Sequence, residues 1–426
     1  MTNAEMIWRP YTQHQTMPEM VKIESGQGAH LLTEDGQKIV DLISSWWVNI
    51  HGHSHPAIAA AIAKQAAKLD HVIFAGFTHE PAEKFAESLL GVMGKPYQHL
   101  FYSDNGSTSV EVALKMALQF AINRGETKRT KIIAFQGGFH GDTWAAMAAG
   151  RTSGFFDSYK KYLNLDVEHV IYPATHDADP RREENEETAI DELSQILARQ
   201  GQRVAAIMVE PLVQGASGMR VCSPEWLDKM TKLAQSYGIT VIFDEVMTGF
   251  GRTGTMFAYQ QIQTRPDIVC LSKGITGGCL PLSVTVTTSE VFNSFLGDSF
   301  AEALSHGHSY AGNPIVCAAA LASLQLFESE RTLERIATQS ELHRKRLRDL
   351  PRTTNHRVLG AIAACELELD MGYGTPQSVA LRSTFIESGL LIRPLGNTLY
   401  LMPPACLSTV ELDEAYSEIS RILSSF

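Results

Sequence analysis

Between residues 99 and 288 the chain alternates short apolar, β-branched runs with amphipathic stretches. This alternation restricts the fold more than any other feature of the sequence. HLFYS (99–103) precedes the helical pattern EVALKMALQF, KIIAF (131–135) precedes DTWAAMAA, and VAAIMVE (204–210) precedes PEWLDKMTKLAQSYG. ITVIFDE (239–245), DIVCLS (267–272) and LSVTVTT (282–288) follow. Strands separated by helices pair in parallel through crossovers, so the expected fold class is α/β, a mostly parallel sheet sandwiched by helices. In such sheets ligands collect at the carboxyl ends of the strands.

The flanking regions read differently. Strand candidates at 29–32 and 38–42 surround the turn signal Glu34-Asp35-Gly36. PAIAAAIAKQAAKLD (56–70) reads as a helix with Pro56 near its first turn. HDADPRREENEE (176–187) is a polar loop entering a helix. The last hundred residues hold a long charged helix, ESERTLERIATQSELHRKRLRDL, then GAIAACELELD and LLIRPLGNTLYLMPP. That is the pattern of a smaller α+β domain, which the N-terminal strands complete. The expected division is residues 1–48 as the N-terminal part of the small domain, 49–327 as the large domain and 328–426 as the C-terminal part of the small one.

Composition narrows the function classes. The 426 residues carry a net charge of −11 with no large basic cluster, which argues against nucleic acid as a partner. No apolar run approaches the roughly 20 residues that cross a bilayer. The start, MTNAEMIWRPYTQ, lacks the basic and apolar regions of a signal peptide. Six cysteines without CxxC spacing read as buried thiols in a reducing compartment, so a cytoplasmic location is expected. His51, His53 and His55 alternate as ligands could, but other metal ligands are not evident, and no metal is expected.

Three strand ends carry chemistry. The run at 268–271 leads into Ser272 and Lys273, then Gly274, Gly277 and Gly278. A lysine there either snorkels to the surface or is held neutral as a nucleophile that forms a Schiff base. After HLFYS come Asp104, Asn105, Gly106, Ser107 and Thr108; a glycine and hydroxyls at a helix N-terminus make an anion site. Thr108 and Glu111 fit a capping box. After ITVIF comes Asp244, costly in so apolar a stretch unless it is paired. Pyridoxal phosphate asks for all three: a phosphate cup, an acid against the pyridinium nitrogen and a lysine.

At this point the chain resembles the class III pyridoxal-phosphate aminotransferases. GFHGD (138–142), VEPLVQGASGM (209–219), DEVMTGFGRTG (244–254), PDIVCLSKGITGG (266–278) and GHSYAGNP (307–314) stand in the family's order and span most of the chain. The resemblance implies a type I fold and a homodimer with the active site at the interface. It implies catalytic roles for Lys273 and Asp244. Gly106 and Ser107 match the phosphate loop, Phe139 the aromatic on the pyridine ring, and Val246 the residue on the opposite ring face. Glu210 matches an acid near the pyridinium. His308 and Ser309 match the segment that reaches the phosphate across the dimer.

Peripheral motifs narrow the resemblance. WRPYTQ (8–13), SSWWVNIHGHSHP (44–56) and IRPLGNTLYLMPP (392–404) are similar to the members of the family that act in biotin synthesis. This implies S-adenosylmethionine as amino donor and 8-amino-7-oxononanoate as acceptor. Tyr11, Trp46, Trp47, Phe139, Lys273, Gly307 and Arg393 would then form the substrate site, with Arg393 gripping a carboxylate. Another class III ω-amino acid aminotransferase, or lysine as donor, is the alternative; a silent binding protein on this fold would lack Lys273 or Asp244. Met247, where many members have Gln, and His308-Ser309, in place of Pro-Thr, depart from the pattern.

Overall fold

The computed structural model describes residues 6–150, 156–369 and 371–426. The first five residues of the start and Asp370, which ends GAIAACELELD, lie outside them.

A seven-stranded sheet forms the centre. Its strands run, edge to edge, Tyr97–Ser103, Ser283–Thr288, Ile268–Leu271, Thr240–Asp244, Val204–Val209, Lys131–Phe135 and Val167–Val170. Ser283–Thr288 is antiparallel to both neighbours, and the other strands share one direction. The strands read as continuous apolar runs because helices cover both faces; Val204–Val209 is buried at every position. One core cluster packs Trp226, Leu227 and Phe85 on one face, and another packs Val112, Leu114 and Met116 on the other.

The chain ends meet in a second unit. Ile23–Gln27, His30–Thr33 and Lys38–Asp41 form a meander, and Leu390–Leu391 joins it in parallel beside Lys38–Asp41. Thr353–Leu359, Ile362–Leu367 and Thr398–Leu401 form a separate antiparallel sheet. Ala29 and Leu42 share a core with Phe385, Leu412 and Tyr416.

Two expectations shift. The charged helix expected from residue 328 begins only at Thr332, because Arg331 takes a left-handed φ of 53° and ends the preceding helix, Pro314–Ser329. The capping box lies three residues earlier than Thr108 and Glu111. Asn105 caps the Gly106–Asn123 helix by accepting the Thr108 N–H, and Thr108 Oγ1 accepts the Asn105 N–H in return. Glu111 instead accepts the Ala145 and Ala146 N–H groups at the start of the Trp144–Ala149 helix.

Candidate active site

The parallel strands stop on one side of the sheet, and the residues just past their ends line a cavity of about 490 Å³. Asp104 to Ser107 follow the Tyr97–Ser103 strand. Phe139, His140 and Gly141 follow Lys131–Phe135, and Glu210 follows Val204–Val209. Asp244 ends its strand, with Val246 and Met247 beyond it, while Ser272 and Lys273 follow Ile268–Leu271. Gly278 to Leu282 and Trp47 complete the wall.

Lys273 opens a single 3₁₀ turn, with a left-handed φ of 47°. That backbone is disfavoured for a side chain larger than glycine, by about 1–3 kcal/mol, and such strain concentrates where geometry matters. Its Nζ stands 4.6 Å from the centroid of the Trp47 ring. Burial pulls its pKa down from 10.5 to about 8, against the charges of Asp244 and Glu210, which raise it.

Asp244 is buried, and its two oxygens are separately engaged. Oδ2 lies 2.7 Å from His140 Nδ1, and Oδ1 accepts the Val246 N–H at 3.1 Å. Burial disfavours a charged His140, yet the hydrogen bond and charge of Asp244, with that of Glu210, raise its pKa above the usual value. Glu210 accepts the N–H groups of Phe139 at 2.9 Å and Gly215 at 3.0 Å, while burial pushes its carboxyl up to about 7. Phe139 stacks at 5.9 Å against Phe156.

The end of the chamber at Gly106 and Ser107 is shaped by close approach. A Cβ at Gly106 would lie 2.6 Å from Val246 Cγ1, and one at Gly141 would strike Ser107. Ser107 Oγ accepts the Asp142 N–H at 3.1 Å, and the free N–H groups of the Gly106–Asn123 helix open beside it.

The remaining expected residues divide. Trp47 is in the chamber wall, but Tyr11, Trp46 and Arg393 are not among its lining residues. They form an adjoining group: Tyr11 and Trp46 rings lie 6.0 Å apart, and the Arg393 guanidinium is 5.2 Å from the Trp46 centroid. Tyr11 donates to Asp142 Oδ1 at 2.5 Å, which ties this group to the Ser107 end of the chamber. Gly307 and Ser309 are exposed and do not line the chamber of their own chain. His308 reaches only its edge, 3.3 Å from Asp104. Of the three alternating histidines, His53 pairs with Asp41 and His55 with Glu330, each at 2.9 Å.

The sequence reading missed two participants. His140 was visible as the residue after Phe139 in GFHGD, but nothing in the motif announced its pairing with Asp244. Arg252, fully buried, donates to the carbonyls of Trp47 and Asn49 at 3.3 and 3.0 Å. Burial lowers its pKa to about 9.

A family model described as aminotransferase class III matches residues 11–423. The chain belongs to the class III aminotransferases. An adenosylmethionine-8-amino-7-oxononanoate aminotransferase from Synechococcus elongatus is 47% identical over 419 residues, 98% of either chain. One from Helicobacter pylori is 35% identical, covering 99% of this chain and 96% of its own. The crystal structure of the enzyme of that name from Methanocaldococcus jannaschii matches with a TM-score of 0.92 and 33% identity, covering 99% of this chain and 97% of its own. A pyridoxal-phosphate-bound amine transaminase from an uncultivated Pseudomonas species matches at 0.91 and 28%, covering 98% of either chain.

Pyridoxal phosphate is the cofactor of this class III aminotransferase, and the residues present fit it. The backbone at Gly106 and Gly141 leaves no room for side chains where the helix N-terminus opens. A buried carboxylate and a lysine amine share the same chamber. Those are the anion, pyridinium and carbonyl partners the cofactor needs.

Proposed function

We propose that this aminotransferase transfers an amino group from S-adenosylmethionine to 8-amino-7-oxononanoate, giving 7,8-diaminononanoate for biotin synthesis. The observation that carries this is the aromatic–arginine group of Tyr11, Trp46 and Arg393 set beside a chamber that holds Lys273. A common carboxylate grip and flat walls suit both an adenosyl amino acid and a long-chain keto acid. The names of relatives that align over nearly the full chain support the same substrates.

When bound, the cofactor supplies an electron sink for the carbon that loses its proton. The chain's own residues do the rest. Lys273, kept from full protonation by burial, removes and returns that proton at its Nζ. Asp244, oriented by His140 and the Val246 N–H, would hold a proton on the pyridine nitrogen. Gly106 and Ser107 would hold the phosphate, and Phe139 and Val246 would lie against the ring. Glu210 keeps the Phe139 backbone in place. Arg393 orients the carboxylate of either substrate, with Trp46 and Trp47 as walls.

The enzyme is a cytoplasmic homodimer in this reading, with His308 and Ser309 of a second copy completing the phosphate site and Gly307 beside the substrate. Exposed Ile73, Phe77 and Tyr310 near that segment supply an apolar surface for the pairing. Free cysteines fit a reducing compartment. Residues 1–48 and 328–426 make one small domain against the large domain at 49–327, as the pairing of Leu390–Leu391 with Lys38–Asp41 suggests.

The test is to mix purified enzyme with both substrates and seek the diamine by mass spectrometry. Absence of the diamine, with turnover of ornithine or a β-amino acid instead, rejects the reading. Single-turnover change in cofactor absorbance with S-adenosylmethionine but not lysine identifies the donor.

A further inference from the structure

Residues 43–47 turn sharply at the base of the site. Ser44, Ser45 and Trp47 have φ of 52°, 59° and 66°, in the left-handed region that residues other than glycine rarely enter. Trp46, at φ −138° and ψ 58°, is non-helical between them. Two consecutive indoles therefore leave the chain toward different places. Trp47 is buried against Lys273, and its Nε1 donates to Tyr400 Oη at 3.0 Å. Trp46 is 42% exposed and faces Tyr11 and Arg393. The turn feeds the chamber and the adjoining aromatic group from neighbouring positions.

A turn strained at three residues persists only where its surroundings hold it. Asp41, fully buried at the end of the Lys38–Asp41 strand, is the holding group. Its Oδ1 accepts the Ile43 N–H at 3.2 Å. The Ser45 N–H donates to both oxygens at 2.9 and 2.7 Å, and Ser45 Oγ donates to Oδ2 at 3.1 Å. His53 Nε2 lies 2.9 Å from the same Oδ2. A carboxylate offers about four lone-pair sites, so this one is saturated by the turn and its histidine. On the far side of the turn, Ser44 Oγ donates to the Met402 carbonyl at 2.7 Å, and Arg252 holds the carbonyls of Trp47 and Asn49. Asp41 itself does not line the chamber.

We propose that Asp41 is a positioning residue for the transamination: through the strained turn it sets Trp47 against Lys273 and Trp46 against Arg393. The inference rests on the aminotransferase reading above. It names a residue that touches neither cofactor nor substrate.

The test is Asp41→Asn in the full-length holoenzyme, assayed per bound cofactor well below the melting temperature. Wild-type enzyme is assayed first, so failure of the functional reading appears there, whereas failure of this inference appears only in the variant. The expected result is normal cofactor loading with an altered visible circular dichroism band. kcat/KM for the acceptor falls by about tenfold or more, through both a higher KM and a lower kcat, as displaced positioning groups do. A purely structural Asp41 would lower the melting temperature while leaving the dichroism and the per-site kinetics at wild-type values, and that outcome overturns the proposal. Where Asp41→Asn yields no folded protein, His53→Leu removes one partner of the carboxylate. The same dichroism change at smaller amplitude is then expected, and an unchanged band with unchanged kinetics overturns the proposal equally.

Discussion

Lys273 Nζ stands 4.6 Å from the centroid of the Trp47 ring, in a wall that buries the amine, and burial disfavours its charged form. The lysine that a strand end announced in sequence is thus an amine whose proton is loosely held. At neutral pH this keeps a fraction of it free to act as a nucleophile.

That arrangement gives a pH-dependent stability. Lys273 has a folded pKa of about 8 against 10.5 when free. Between those values the unfolded chain binds more protons, so the cofactor-free protein gains stability as pH rises through this window. Below about pH 8 the full penalty is present, at most about 3.5 kcal/mol. Cofactor-free Lys273→Met is therefore expected to resist urea better than wild type at pH 7, with the gap closing by pH 10.5. Equal resistance at pH 7 would show that the amine is not desolvated. The same variant, loaded with cofactor, is expected to lack turnover.

Asp244 and His140 form a buried pair at 2.7 Å. Asp244→Asn keeps the shape and the acceptor for the Val246 N–H but removes the charge. Turnover is expected to fall about a hundredfold, the scale of one charge-assisted hydrogen bond worth about 1.5–3 kcal/mol, because a neutral amide no longer favours a proton on the pyridine nitrogen. Burial then acts on His140 without its counter-charge, so its NMR titration is expected to move to lower pH. A His140 titration at the wild-type position would contradict the pairing.

The positions of Lys273, Asp244 and Gly106 were legible because apolar strands stop abruptly and the residue at each stop is out of character. The sheet was legible for the same reason. His140 and Arg252 were not, since each acts through a partner far along the chain, and no local period encodes such a pairing; Asp41 was not, because nothing in its short strand marks it as the acceptor for the N–H groups of Ile43 and Ser45. The separation of Trp46 from Trp47 was equally hidden: left-handed backbone at Ser44, Ser45 and Trp47 runs against local preference and is imposed by tertiary hydrogen bonds. Thr108 and Glu111 satisfied a capping pattern by spacing alone, but Asn105 with Thr108 satisfies it too, and the end of the strand decides between them.

Gly106→Ala tests the cradle. The new Cβ would sit 2.6 Å from Val246 Cγ1, so Val246 must move, and with it the N–H that holds Asp244. Overpacking of this kind costs about 1–3 kcal/mol. The dissociation constant for pyridoxal phosphate, followed by fluorescence titration of cofactor-free enzyme, is expected to rise about tenfold or more. Gly91→Ala, in the Glu80–Met93 helix with open space around it, is the control and is expected to leave cofactor affinity unchanged. Unchanged affinity in both variants would mean that the Gly106 backbone does not approach the cofactor.

Arg393 is held before any substrate arrives. Its guanidinium lies 5.2 Å from the Trp46 centroid and 5.8 Å from that of Tyr373, and Nη2 donates to Tyr373 Oη at 2.6 Å. The carboxylate of 8-amino-7-oxononanoate is distant from its reacting carbon, so for that substrate a preset fork contributes equally to the ground state and the transition state. Arg393→Ala is therefore expected to raise KM for 8-amino-7-oxononanoate about 10- to 100-fold, the scale of a charge-assisted hydrogen bond worth about 1.5–3 kcal/mol, while kcat changes little. The KM for S-adenosylmethionine is expected to rise as well, because one fork serves both carboxylates in turn. Arg393→Lys is expected to recover only part of the loss, since an ammonium cannot present two parallel donors or stack on the two rings. A fall in kcat at saturating substrate with both KM values unchanged would place Arg393 in the chemical step instead of in recognition.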